Sequence, residues 1–342
     1  MRDRQLDIYR ALLMLYITCI AHNAYWLGNG TEPFLSIILF VIPQVFFVSG
    51  AALSLHKSTR SIWSTIINRF KRIVVPFYIY AAVMLGGIGV LSTLLLKGTE
   101  FFRLLPFDIL AYTWRDALDV LLCLDLPHCP FMAHLWFIPL YLVLSCTFPL
   151  QIKLMEHINR YIYLAVSVII FLLAQGFTHI SFLRELLCYN AFMVAGYLFY
   201  KRDNQVLTAL LGVGAAVLLL ANEFVLGGHF CPIQDHKFPP DWVYFTYNVM
   251  MLCLLSLVLR RITLPYNKVF KIWNERGYTI YLYQSLGLWF VYGIHQTGLF
   301  NSSSNVVNFI VDGLLVFVLL TAMSRPAYSL ERWVMRHLPS SK

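Results

Sequence analysis

Apolar residues along this chain fall in long, nearly uninterrupted blocks. Short i, i+3, i+4 stripes, the mark of a helix lying on a water-soluble core, do not dominate. Ten blocks reach or approach the roughly 20 residues needed to cross a hydrocarbon core about 30 Å thick. They cover residues 6–27, 34–55, 74–96, 135–154, 161–180, 182–200, 206–226, 242–259, 278–294 and 306–323. The pattern predicts an all-α, polytopic integral membrane bundle of about ten transmembrane helices. The fifth and sixth blocks nearly abut and predict a tight hairpin. No repeat relates the two halves, and no separate soluble domain or low-complexity segment interrupts them. The expected organisation is one transmembrane domain over residues 1–325 and a tail over 326–342. In that tail Trp333, Val334 and Leu338, set among Arg residues, predict a short interfacial helix on the inner leaflet.

Composition agrees: 59% of residues are hydrophobic and only 13% charged, too few charges to cover the surface of a soluble domain of 342 residues. The net charge of +9 raises nucleic acid as a partner, but its distribution points elsewhere. With the N-terminus in the cytoplasm, the ten-helix path puts every Lys and Arg on the inner side except Lys97, Arg103, Arg115, Arg184 and Lys237. Such a bias orients helices during insertion and predicts both termini in the cytoplasm. No cleavable signal peptide is expected, because the first block runs on into Asn23-Ala-Tyr-Trp26 without a small-residue cleavage site. The seven cysteines form no metal-binding spacing. Cys123, Cys129 and Cys231 fall in expected outer loops, where an oxidising compartment permits one disulfide. Asn29-Gly-Thr31 and Asn301-Ser-Ser303 match the glycosylation pattern.

The longest loop, from about Lys97 to His134, mixes aromatics with Glu100, Asp108, Asp116, Asp119 and Asp125, and is expected to fold over the outer mouth. A second outer loop, 227–240, carries His229, Asp235, His236 and Lys237. These side chains either meet a hydrophilic substrate or form an ordinary solvated loop.

Ionisable residues inside a membrane are costly and are the first candidates for function. The first helix holds Arg10 near its cytoplasmic entrance and His22 twelve residues on, about 18 Å away. A histidine in such a place is a neutral general base for a hydroxyl, or it is a structural hydrogen-bonding partner of a neighbouring helix. Arg10 can also pair with Asp7 at i−3. At the inner approach to the third helix, Arg69, Lys71 and Arg72 either hold phosphates or serve topology alone. Asp312 is the acidic residue deepest in any expected span, and Glu223 ends the seventh. Asp312 is a candidate to orient His22, to carry protons, or to pair with a tyrosine.

Five segments in order resemble the acyltransferase type 3 family, bacterial membrane enzymes that move acyl groups from acyl-CoA to sugars. They are Leu6-Asp-Ile-Tyr-Arg10 with the run to His22, Phe46-Phe-Val-Ser-Gly50, Arg69-x-x-Arg72 with Pro76, His134-Leu-Trp-Phe137, and Tyr278-Thr-Ile-Tyr-Leu282. The resemblance implies a multi-pass protein of a bacterial inner membrane. It implies acyl-CoA, with acetyl-CoA the expected donor, as a substrate; no bound cofactor or metal; and an envelope carbohydrate or lipid-linked glycan as acceptor. It further implies that Arg69, Lys71 and Arg72 bind coenzyme A phosphates, with Arg10 as a further contact. His22 would then deprotonate the acceptor, and Ser49, Gly50, His134 and Trp136 would line or shape the site. Two features depart from the family pattern. Eleven residues rather than ten separate Arg10 from His22, which turns the pair from about 20° to about 120° apart in helical projection. Either a π-bulge restores the alignment or the side chains face different cavities. Tyr283-Gln284 also stands where the family often has His. The competing reading is a transporter or flippase for an envelope precursor, which would use buried His, Arg and Asp as a path.

Overall fold

The computed structural model describes residues 3–55, 61–90, 114–122, 132–177, 180–201, 204–229, 231–262, 264–300 and 302–338. Among these every regular element is helical. In chain order they are α1 (Arg4–Leu15), a π-helical stretch (Tyr16–Ala21), α2 (His22–Trp26), α3 (Phe34–Ile37), α4 (Val41–Ser54), α5 (Ile62–Val90) and α6 (Trp114–Leu122). A 3-10 turn (Ala133–Phe137) leads into α7 (Ile138–Met155), α8 (Arg160–Phe177), α9 (Ser181–Phe199) and α10 (Gln205–Phe224). A second 3-10 turn (Ile233–His236) precedes α11 (Trp242–Arg261), α12 (Lys268–Glu275), α13 (Gly277–Gln296) and α14 (Asn305–His337).

Within the described residues each of the ten apolar blocks falls on helix, and α9 begins four residues after α8 ends. Among the described residues seven helices are long and apolar enough to cross a bilayer. Of the ten blocks, those whose helices fall outside these seven are the first (α1 to α2), the sixth (α9) and the ninth (α13). They carry buried polar groups: Asp7, Thr18 and Asn23 in the first, Glu185 in α9, and Thr279, Gln284 and Ser285 in α13. Polar groups turned inward lower mean hydropathy without exposing charge to lipid. Conversely, Leu210, Val213, Val217 and Leu218 of α10 are each more than half exposed. A patch of that kind would be a liability in water and is the expected lipid face of a multi-pass membrane protein.

Two expected boundaries move. The third helix begins at Ile62, so Arg69, Lys71 and Arg72 sit two turns inside α5 rather than in a loop before it. Cations at the membrane edge do not end a helix; the periodic Ile66, Ile73 and Phe77 carry it through. The tail is not a separate helix: α14 runs unbroken from the tenth block through Pro326 to His337. The stretches around Lys97–Thr113 and Cys123–Phe131, with Cys123, Cys129, Asp108 and Asp125, lie outside the described residues, as does Asn301. Cys231 is a free thiol.

The chain forms two compact units: Met1–Ile17, Gly30–Ser61 and Thr147–Asn274 in the first; Thr18–Asn29, Ile62–Cys146 and Glu275–Lys342 in the second. In the first unit α4 packs along α9 and α10 along α11. The α4–α9 seam is unusually close. A Cβ added at Gly50 would lie 1.9 Å from the Met193 carbonyl oxygen, and one at Gly196 would lie 1.9 Å from the Phe47 carbonyl oxygen. Small residues let two backbones meet in this way. In the second unit α13 packs on α14, α5 and α2.

Candidate functional site

The second unit is built around α13. His22 opens α2 directly after the π-helical stretch, and its Nδ1 lies 2.9 Å from Oε1 of Gln284 on α13. An amide oxygen can only accept, so Nδ1 carries the proton and Nε2 is the basic atom of the ring. The π stretch lies between Arg10 and His22 and is the kind of local device that takes up one extra residue. Below the imidazole, Trp26 stacks at a centroid separation of 5.3 Å and an interplanar angle of 18°. Trp289 of α13 also stacks on Trp26, at 5.7 Å. An imidazolium that forms here faces an indole, which stabilises cations.

His134 is held differently. It sits in the 3-10 turn, 2% exposed, with its Nε2–H shared between the carbonyl oxygens of Tyr281 (3.0 Å) and Leu282 (3.2 Å). The Tyr281 hydroxyl in turn donates to the His134 carbonyl. These bonds pin the turn to α13. Its ring meets the edge of Trp26 at 5.8 Å, so His134 and His22 flank one indole. Trp136, half-buried, packs edge-on to Phe137. Tyr80 of α5 completes the surround: its hydroxyl is 2.8 Å from Ser285 Oγ, and its ring is edge-on to Tyr283 and His134.

The cations lie on the helix that carries Tyr80. On α5, Arg69, Ile73, Phe77 and Tyr80 follow i, i+4, i+8, i+11 and share one face; Ile73, Phe77 and Tyr80 are buried and Arg69 is half-buried. Tyr80 lies eleven residues beyond Arg69, about 16 Å along the axis. Lys71 is half-buried and Arg72 exposed beside that face. The Tyr278 hydroxyl donates to the Ile73 carbonyl at 2.9 Å and joins α13 to α5 one turn beyond Arg69.

Asp312 does not orient His22; that place is taken by Gln284. Asp312 is fully buried, accepts from Asn29 Nδ2 at 2.7 Å, and lies 3.3 Å from His295 Nε2. Asn29 also donates to Asn23, whose own amide reaches the Phe309 carbonyl. This chain latches the end of the first helix to α14. It also commits the amide of Asn29, the asparagine of the Asn29-Gly-Thr31 pattern, to internal bonds.

Arg10, exposed on α1, and Ser49 and Gly50 of α4 belong to the first unit. Ser49 Oγ returns its hydrogen to the Val45 carbonyl at 2.8 Å, and Gly50 is accounted for by the α4–α9 approach.

The 227–240 loop is bonded largely to itself and its neighbours. His236 places Nδ1 2.6 Å from Asp241 Oδ2 and donates Nε2–H to the His229 carbonyl at 2.8 Å. His229 lies 3.1 Å from Glu223. Lys237 is buried, its amine pushed down to about 8 by desolvation against the pull of Glu185. The Asp241 bond holds the His236 imidazole above its ordinary value of 6.5. Because the folded value is raised, this pair stabilises fully below about pH 6.5 and its contribution is lost as pH climbs through the folded value. Asp241→Asn keeps a helix-capping side chain for α11. It is expected to return the His236 NMR titration toward 6.5 and to remove a stability difference of no more than about 1 kcal/mol, seen only on the acidic side.

A family model described as an acyltransferase domain matches residues 3–325, nearly the whole chain. No curated protein matches, and no solved structure does.

Proposed function

We propose that this chain, which belongs to the acyltransferase type 3 family, is a membrane O-acyltransferase moving an acyl group from acyl-CoA to a hydroxyl of an envelope carbohydrate or glycolipid. The observation that carries this reading is the single buried face of α5, with Arg69 at one end and Tyr80, in the surround of the His22 site, about 16 Å away. Cations at one end suit the coenzyme A phosphates, and the interval suits a pantetheine arm running between helices toward His22.

Nε2 of His22 takes the proton of the acceptor hydroxyl as the oxygen attacks the thioester carbonyl. The tetrahedral adduct collapses with loss of coenzyme A thiolate, which takes the proton back from the imidazolium. Gln284 holds the ring in the one tautomer that places the lone pair on Nε2, and the Trp26 face favours the transient cation. No covalent enzyme intermediate is needed. The polar first helix, α9 and α13 would complete ten spans with both termini in the cytoplasm of a bacterial inner membrane. Acetyl-CoA is the donor to try first.

Acyl transfer from labelled acetyl-CoA to envelope glycans, measured in membranes, tests the donor assignment. Arg69→Ala and Arg72→Ala are each expected to raise KM for acetyl-CoA about tenfold or more with kcat little changed, since a charge-assisted phosphate bond is worth about 1.5–3 kcal/mol. An unchanged KM in both variants would assign these cations to topology alone.

A further inference from the structure

A cavity of about 840 Å³ opens within the first unit, between its own helices α1, α8, α9, α10 and α11. That volume falls in the range of roughly 300–1,000 Å³ typical of small-molecule sites. Its outer lining residues gather at one end of the bundle: Gln5 near the start of α1, Tyr161 opening α8, Phe199 closing α9, Asn204 capping α10 and Leu259 near the end of α11. Deeper in, the wall is apolar, formed by Leu164, Val168, Phe192 and Val249 among others. One side is open. Leu207 and Leu211 line it and are 43% and 53% exposed on α10, the helix that also carries the exposed Leu210, Val213, Val217 and Leu218.

The mouth is cationic. Lys201 lines it, with its side chain 55% exposed. The Arg160 guanidinium lies over the rings of Tyr161 and Phe199, both lining residues, at 4.9 and 5.7 Å. Asp3 offsets Lys201 through a 2.5 Å ion pair. Among the described residues Arg160 has no acidic partner.

We propose that this cleft holds the acyl chains of one anionic membrane lipid, with its phosphate at Arg160 and Lys201. An apolar wall open sideways to the bilayer admits hydrocarbon chains without desolvating anything polar. Left empty, it forfeits dispersion contacts along its whole length. The phosphate then meets two cations at the end that the charge bias assigns to the cytoplasmic leaflet, where each Lys or Arg adds about 1 kcal/mol of attraction for anionic lipid. The site is independent of the acyl-transfer chemistry and uses none of its residues.

Native mass spectrometry after exchange from bilayers of phosphatidylglycerol and phosphatidylcholine tests it. Wild type is expected to retain phosphatidylglycerol in preference. Arg160→Gln with Lys201→Asn should cut that preference about thirtyfold, the effect of two such charges. Asn tolerates the left-handed backbone of residue 201 (φ 60°), so the fold is preserved. Ser256→Trp, which fills the cleft from α11, should lower retention of both lipids. Its melting temperature should no longer rise with added phosphatidylglycerol, whereas that of wild type does. Equal retention of the two lipids by wild type would overturn the anionic assignment. Unaltered retention in a folded Ser256→Trp protein would overturn the cleft. Displacement of lipid from wild type by palmitoyl-CoA would overturn the proposal by making the cleft a donor channel.

Discussion

His22→Ala is expected to reduce acyl transfer to background, a fall of about 10²–10⁴-fold in kcat with KM for acyl-CoA little changed. In the proposed mechanism the ring is the base, and the one other imidazole in contact with Trp26 among the described residues is not placed to replace it. His134, the other imidazole beside Trp26, donates Nε2–H to two backbone carbonyls of α13, and its remaining nitrogen, Nδ1, is buried away from an incoming hydroxyl. Gln284→Leu tests positioning. The base remains, but the bond that selects its tautomer is gone, so kcat should fall by about tenfold to a hundredfold while KM holds. The two losses should not add. His22→Ala with Gln284→Leu is expected to be no slower than His22→Ala alone, because Gln284 acts through the ring. Full additivity would give Gln284 a separate role, and a Gln284→Leu enzyme at wild-type kcat would remove it from the site. Gln284→His, which restores the residue type the family often has, should retain activity, since a neutral imidazole nitrogen also accepts from Nδ1–H.

The ten apolar blocks were legible because a bilayer imposes length and hydropathy on each helix independently of its neighbours. Boundaries were less so. Arg69 to Arg72 read as a loop because charge marks the membrane edge, yet charge does not stop a helix, and α5 starts at Ile62. The boundary at 325/326 was drawn where the apolar run gives way to charged residues, yet α14 continues across it. Within the site, His22 stood out as an ionisable group in an apolar block, a purely local signal. Its partner did not. Gln284 is 262 residues away in sequence and is a neutral amide at a place where the family pattern led one to look for histidine. Nothing in a single chain says that an amide oxygen will meet an imidazole. The same holds for Trp26, Tyr80 and Trp289, ordinary aromatics of membrane helices until packing gathers them around two histidines. The π-helical stretch was half legible: the spacing of eleven required some local device, and only the backbone tells which.

Gly50→Ala and Gly196→Ala are expected to be the most destabilising single-methyl changes in the first unit. Each added carbon would lie 1.9 Å from a carbonyl oxygen of the facing helix, Met193 in one case and Phe47 in the other. A tolerable carbon–oxygen contact is about 3.3–3.6 Å, so the helices must separate by more than an ångström. No rotamer relieves the clash, because both obstacles are backbone. Separation also strips the Phe46–Tyr189 stack, two fully buried rings 4.9 Å apart and nearly parallel. The cost should reach or exceed the roughly 1–3 kcal/mol of ordinary overpacking and appear as a large drop in melting temperature in detergent. Gly214→Ala on α10, where a Cβ meets nothing within 4 Å, should leave the melting temperature unchanged or raise it. The double variant should lose little more than either single one, since one displacement relieves both clashes. A wild-type melting temperature for Gly50→Ala would mean that α4 and α9 do not meet there. With the expected loss, the Phe46-Phe-Val-Ser-Gly50 segment is a requirement of helix packing first. Any effect of Gly50 on catalysis must then be measured in protein shown to be folded.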